Sequence, residues 1–386
     1  MAYQNVGTPR FYINDIDYAK SVGLDVTDIP DFLLNADNGN IHMIDAMGNE
    51  NYLNLINSDP NSPMIYTYES SQYIRVIYKT IDRPINFPNY IAYLNHNMNS
   101  CKVNTRHCYY HAEDDGSGNF WNEGHLLSPI VNAEFGEIFH NGTQHGHFSK
   151  PLYDGFSIHE ITNDANDGVH IFHACQMWID DNDWDGGAYV EQGYPPLQIG
   201  SVWVGRYYDM PHSPELDLTM TIENDGFESI ITEGGAHLSN VRYTGAPMWE
   251  RNDGTEIPPW TIGEPTSLGR RNGRRVWSLS FNYLSDSDLF ASNYMSTTYL
   301  ESGSDTGYDS DDIDNDNFYY TLDNDDSFHA QVLNRIGNGQ RFIFQPDNNN
   351  NNPDQFAICQ LDQESLNIKQ VAYKTYNIKL KIREVW

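Results

Sequence analysis

Basic residues are scarce in this chain, and their scarcity excludes more than any motif does. Lysine and arginine number 22 against 54 aspartates and glutamates, a formal net charge of -32 over 386 residues. A field of that sign repels phosphate backbones, which argues against direct nucleic-acid binding unless the few cations gather in one patch. Cysteine is also rare. The four residues, Cys101, Cys108, Cys175 and Cys359, are too few and too scattered for a disulfide framework in a chain this long, although a Cys101 to Cys108 bridge is sterically conceivable. No Lys/Arg-headed apolar stretch opens the sequence, and no run reaches the roughly 18 apolar residues that cross a bilayer. The expectation is a soluble chain with no secretory leader and no membrane insertion.

Motifs that carry common chemistry are missing too. There is no glycine-rich phosphate loop ending in Lys-Ser or Lys-Thr, no nucleophile elbow and no His-Glu-x-x-His segment. Carboxylates are abundant, but abundance does not single out the acid and base pair of a glycosidase. The chain is expected to bind or to build, and not to catalyse.

Aromatic side chains dominate what is present, with 26 Tyr, 17 Phe and 8 Trp against 10 Met. Large rings suit pleated surfaces and interfaces, which favours sheets over helices. Apolar runs read as strands at Tyr73 to Tyr78, Tyr90 to Leu94, His170 to Ala174, Ile199 to Gly205 and Arg341 to Gln345. Alternation over 216–222 predicts a strand with one buried face. In Arg274 to Tyr283 it puts Trp277, Leu279, Phe281 and Tyr283 on one face, and at the end of the chain Tyr376, Ile378, Leu380 and Ile382 mark a terminal core strand. Residues 11–24 fit either a strand and a turn or one short helix. A short helix is expected after the capping residues near Ser285, and another over 328–336, where a strand is the alternative. The fold class is all-β, with β-sandwich domains and long loop insertions.

Residues 1–62 read as an N-terminal segment or assembly arm. Residues 63–260 read as a β-sandwich domain with a long, loop-like insertion at 113–165, rich in Gly, His and Asp. Residues 261–386 complete the sandwich core and carry an acidic excursion at 301–326, which holds ten acidic residues and almost no aliphatic ones.

Candidate sites are few. Asp181, Asp183 and Asp185 alternate ahead of Gly186, like the first half of a calcium loop, but Glu191 falls one place short of the closing position, so an acidic turn is the competing reading. Calcium is the one cofactor the sequence offers. His140, His145 and His147, with His170 and His173 beyond, invite a metal reading, yet their spacing matches no zinc signature. His96 follows a strand between two asparagines and fits either a ligand contact at a sandwich rim or a hydrogen-bonded support for the next loop. Trp121 and Trp184 lie in polar loops, where rings stack on sugar faces or anchor interfaces. Arg274 and Arg275 interrupt an acidic background just before a core strand, which fits intersubunit pairing or an intrachain ion pair.

The block Gly273-Arg274-Arg275-Val276-Trp277-Ser278-Leu279-Ser280-Phe281-Asn282-Tyr283, followed by Arg341-Phe342-Ile343-Phe344-Gln345-Pro346-Asp347, Pro353-Asp354-Gln355-Phe356-Ala357-Ile358-Cys359 and Lys379-Leu380-Lys381-Ile382-Arg383-Glu384-Val385-Trp386, resembles virion structural proteins of tailed bacteriophages, especially marine ones. Asn89 to Asn97 and Gly200 to Tyr208 are similar to the same architecture, and together these segments span roughly residues 85–386. The resemblance implies a β-sandwich protein with a jelly-roll module of the galactose-binding type, built in several copies into the virion tail or its tip. Its partners would be itself and other virion proteins. Contact with a host-surface glycan and degradation of host polysaccharide are the alternative uses of such a scaffold. The motifs are packing motifs, so no set of functional residues comes with them.

Overall fold

The computed structural model describes residues 7–21, 32–36, 52–66, 74–79, 88–111, 122–140, 143–162, 170–179, 195–224, 227–240, 246–251, 254, 256–263, 273–290, 327–337 and 339–385. The chain is all-β and its sheets are antiparallel. An eight-stranded sheet runs in the order Tyr207–Asp209, Arg10–Ile13, Phe342–Gln345, Ala357–Leu361, Thr375–Glu384, Arg274–Ser285, Thr219–Glu223, with Ile368–Ala372 also paired to Thr375–Glu384. An eleven-stranded sheet runs Phe32–Ala36, Ile74–Lys79, His170–Ile179, Val103–His111, Asn122–Val131, Gly155–Thr162, Tyr90–His96, Leu197–Gly205, Met64–Tyr66. The hairpin of Glu134–His140 and Thr143–Lys150 joins it at Val103–His111.

These sheets do not follow the boundaries read at 62 and 260. The first strand, Arg10–Ile13, lies between Tyr207–Asp209 and Phe342–Gln345, with Tyr12 opposite Tyr207 on one side and Ile343 on the other. Within the stretch read as an N-terminal segment or an arm, Arg10–Ile13 is thus an interior strand of the sheet built by the end of the chain.

Period-two alternation sorts the side chains into three packed layers. Tyr12, Ile343 and Ile358 from the smaller sheet meet Tyr90, Ala92, Leu94, Ile158 and Trp203 from the larger one in a shared cluster, so the two sheets face each other as in a sandwich. The alternate residues turn away. Phe11, Phe342, Phe344 and Cys359 enter a second cluster with Trp277, Leu279 and Ile382, covered by Phe328, Val332 and Ile336. Ile91, Tyr93, Val202 and Val204 enter a third, shared with Val103, Leu127, Cys175 and Met177 of strands further along the same sheet. The larger sheet therefore curls around its own core, and the Tyr90–His96 and Leu197–Gly205 strands are buried at every position. At the rim of that contact a Cβ on Gly205 would lie 2.1 Å from the Ile13 carbonyl oxygen, so only glycine permits this approach of the two sheets. Ring pairs such as Tyr12 with Tyr90 at 5.0 Å and Trp277 with Phe344 at 5.2 Å each add about 0.5–1.5 kcal/mol beyond their burial.

Several expectations are met and several corrected. Residues 11–24 hold both elements, the strand Arg10–Ile13 and the helix Asp15–Ser21. Ser285 caps the helix Asp286–Leu289 in a capping box with Asp288, and residues 329–336 are helical. The described residues of the 113–165 region are largely not loop: Asn122–Val131, Glu134–His140, Thr143–Lys150 and Gly155–Thr162 are paired strands. Backbone ladders, which need no aliphatic periodicity, hold them. The 216–222 strand is displaced to Thr219–Glu223 and is an exposed edge rather than half buried, although Met220 reaches the core. Tyr283 is 75 % exposed, because the ladder shifts between Phe281 and Leu284 and Tyr283 adopts φ 63, a bulge that sends Leu284 inward in its place. Cys101 is a buried free thiol that donates to the Pro195 and Pro196 carbonyls, so no bridge to Cys108 forms. Residues 301–326 lie outside the described residues.

Candidate functional site

His96 closes the Tyr90–His96 strand and is 1 % exposed. Its Nδ1 accepts the Met98 N–H at 3.3 Å, while the flanking Asn95, at φ 51, donates to the Pro60 and Glu250 carbonyls, and Asn97 accepts the Gln198 N–H at 2.7 Å. The side chain points inward and props the turn that follows. Burial, with the Arg251 charge added to it, pushes this imidazole down to about 3.

A second buried imidazole belongs to the same interior. His159 is fully buried, with Nδ1 2.9 Å from Ser149 Oγ and Nε2 3.1 Å from Ser157 Oγ, and the Tyr93 ring meets its edge at 5.7 Å. Burial first, and then His96, pushes it down to about 3. A serine on a neutral histidine has the composition of a nucleophile and its base. Here Ser149, Ser157 and His159 are all sealed from solvent, so the contacts satisfy polar groups inside the sheet and offer a substrate no approach.

The two arginines diverge, as adjacent strand positions must. Arg275 is 5 % exposed and makes a two-point pair with Glu384, Nε to Oε2 at 3.0 Å and Nη2 to Oε1 at 3.1 Å. It also donates to the Asp354 and Phe356 carbonyls and lies 4.9 Å from the Trp277 ring centre. All three guanidinium nitrogens donate within the chain. Arg274 lies on the other face, opposite Glu223 in the ladder.

Trp121, Trp184, Asp181, Asp183 and Asp185 lie outside the described residues. His140 ends its strand opposite Thr143, His147 stands opposite Glu137, and His170 and His173 stand in the ladder opposite His111 and Tyr109. Among the described residues no group of three or more His, Cys, Asp or Glu side chains is placed to hold a metal.

One small cleft opens at the seam of the two sheets, with room for little more than a water molecule, and is lined in part by Asp59, Asn61, Trp249, Trp260 and Arg341. Its composition resembles a sugar subsite, but the geometry does not. Trp249 and Trp260 are 3 % and 4 % exposed, and Trp260 packs on Phe356 and against Phe156, so neither ring offers a face for stacking.

An exposed apolar surface lies elsewhere, on a hairpin between the Thr219–Glu223 and Trp249–Glu250 strands. Ser229–Ile231 and His237–Ser239 form a two-stranded hairpin exposed at all six positions. Its turn is closed by the Gly235 N–H on the Thr232 carbonyl at 2.8 Å, with Gly235 at φ 79, and its base by Glu228 and Asn240. Phe227, Ile230, Ile231 and Leu238 are 57–64 % exposed and belong to none of the three cores. Just upstream, the edge strand Thr219–Glu223 pairs on one side only among the described residues, and Ile222 and Leu216 are exposed beside it. The Gly234-Gly235 pair after the β-branched run Ile230-Ile231-Thr232 was a legible turn signal. Nothing in the pattern shows that the hairpin stands off the body.

Comparison with protein-family models, with curated proteins and with solved structures finds no match to this chain.

Proposed function

We propose that this chain is a structural component of a tailed-phage virion, a tail or tail-tip protein that assembles in multiple copies and has no catalytic role. The observation that carries the reading is the standing hairpin: a folded element whose large apolar side chains have no cover among the described residues of its own chain. Exposed apolar surface of this kind marks sites of protein association. Support also comes from the interior. The polar groups that invited a chemical reading, Arg275 and His159, are consumed in sealed intrachain contacts, as in a scaffold. The strand blocks that resemble virion proteins are the ones that build the cores. Within this reading the sandwich is a jelly-roll-type module, and a calcium ion at Asp181, Asp183 and Asp185 would brace a loop.

Cryo-electron microscopy of intact particles from the source, together with mass measurement of the purified chain, tests the proposal. Density for the chain repeated about the tail axis is the expected result. A chain absent from every particle would sink it.

A further inference from the structure

We infer that His96 is an acid-released latch: its neutral ring holds the turn 97–102 closed, and protonation of the ring frees that turn and uncovers the Cys101 thiol before the sheets unfold. The inference concerns a single chain and does not depend on the assembly reading above.

The turn links the Tyr90–His96 and Val103–His111 strands, and its own backbone closes it. Cys101 N–H donates to the Asn97 carbonyl at 3.1 Å, Lys102 N–H to Asn99 at 3.1 Å and Val103 N–H to Met98 at 2.8 Å. Asn97 grips the neighbouring strand, accepting the Gln198 N–H and donating to the Pro196 carbonyl at 2.9 Å. Cys101 Sγ donates to the Pro195 and Pro196 carbonyls, and Met98 and Cys101 are fully buried. The turn thus seals its own thiol.

The imidazole adds a contact that only its neutral form can make. Its Nδ1 accepts the Met98 N–H, so the neutral ring carries its proton on Nε2. A second proton has one place to go, Nδ1, where it would meet the Met98 N–H head on. Donor then faces donor. The other nitrogen offers no relief, since Nε2 is buried without a hydrogen-bond partner among the described residues. His159 is built differently: each of its nitrogens meets a serine hydroxyl, which rotates and can accept from a charged ring. Of these two buried imidazoles, His96 is the one with a fixed donor opposite it.

The surrounding charge points the same way. Arg251, just beyond Trp249–Glu250, disfavours a charge on the ring, and His159, from Gly155–Thr162, becomes a like-signed neighbour when charged. Leu197–Gly205 brings no charged side chain, and Lys102 at the end of the turn is exposed. Carboxylates lie about the same junction, Asp154 accepting the Ser100 N–H at 3.0 Å, Asp59 the Asn61 N–H at 3.1 Å, and Glu250 exposed. None of them is bonded to the ring. Burial first, and then Arg251, holds the ring at about 3 while the turn is closed, and opening returns it to the ordinary 6.5. The open turn therefore takes up the proton, and opening gains as the pH falls below about 6.5, by about 30-fold at about pH 5 relative to about pH 8.

The test is reaction of the native full chain with a pyridyl disulfide, which modifies thiols in mild acid, with the modified cysteine identified by peptide mass mapping and rates normalised to a small free thiol at each pH. Cys101 should react on the order of 30-fold faster at about pH 5 than at about pH 8, while the buried thiols of Cys175 and Cys359 stay unreacted. His96→Asn should abolish the acid enhancement, because its Oδ1 can accept the same N–H two residues on and does not titrate. Asp154→Asn, which keeps an acceptor for Ser100, should retain it. Equal protection of Cys101 at both pH values overturns the inference. So does joint reaction of all three cysteines in acid, which is unfolding of the whole chain and can be read on the native protein even if a variant fails to fold. Acid enhancement that survives in folded His96→Asn, or disappears in folded Asp154→Asn, overturns it as well.

Discussion

The strand Leu197–Gly205 is buried at all nine positions, and the hairpin Ser229–Ile231 with His237–Ser239 is exposed at all six. Both mix aliphatic residues with serine and small side chains. The difference lies in their neighbours. Leu197–Gly205 has strands on both edges and packed clusters on both faces, Trp203 toward the sandwich interior and Val202 and Val204 toward the curl of the larger sheet. Each strand of the hairpin has one partner, and among the described residues no packed layer lies above or below it. Apolarity decides that a segment gains from being covered, and topology decides whether its own chain covers it.

That comparison predicts effects that separate body from hairpin. The largest belongs to the body: Arg275→Ala leaves the Glu384 carboxylate buried beside an empty fork, and the chain should lose about 3–5 kcal/mol in urea unfolding. A loss under about 1 kcal/mol would mean the pair is wetter than its burial implies.

Acid should act on the same interior. His96 and His159 sit at about 3 in the folded chain, below the ordinary 6.5, because burial disfavours their charged forms. The unfolded chain then binds more protons below about pH 6.5, so stability is at its full value above that point and declines as the pH falls toward 3. The slope is about 1.4 kcal/mol per histidine per pH unit, or roughly 2 kcal/mol each by about pH 5. Urea midpoints that stay level between about pH 7 and pH 5 would contradict two sealed neutral rings.

The smallest effect belongs to the hairpin. Ile231→Ala should shift the melting of the monomeric chain by no more than about 0.5 kcal/mol, as an exposed substitution does. A cost of a core size would show that the hairpin rests on the body after all, and would end the contrast.

Much of the body was legible in the sequence. The alternation through Trp277, Leu279 and Phe281, and through Ile378, Leu380 and Ile382, places those side chains where the structure has them, because each strand packs one face on a contiguous core. Tyr283 was misplaced by a single bulge, which flips every later side chain and leaves no mark in an apolar pattern. The strands between Asn122 and Thr162 were missed because glycine, histidine and asparagine carry no periodicity, and the ladder that orders them is a backbone property. At the level of sites, the two roles open for Arg275 and for His96 both turned on burial, a quantity set by strands distant in sequence. The turn of the exposed hairpin was readable from its Gly-Gly pair, but exposure is a relation to the rest of the fold.

The placement of Arg10–Ile13 between Tyr207–Asp209 and Phe342–Gln345 has a consequence for biosynthesis. Tyr12 and the glutamine its hydroxyl bonds, Gln345, are 333 residues apart, so a ribosome adding about 5–20 residues per second finishes the partner roughly 15–70 seconds after the first strand emerges. Tyr207–Asp209 is made well before that and can take one edge of the first strand, but the other edge, against Phe342–Gln345, stays open for the whole interval. Closure of the smaller sheet is therefore a late event in synthesis. A chaperone that shields this strand would raise the yield of folded chain more than one acting on the larger sheet, whose strands are complete by Gly205.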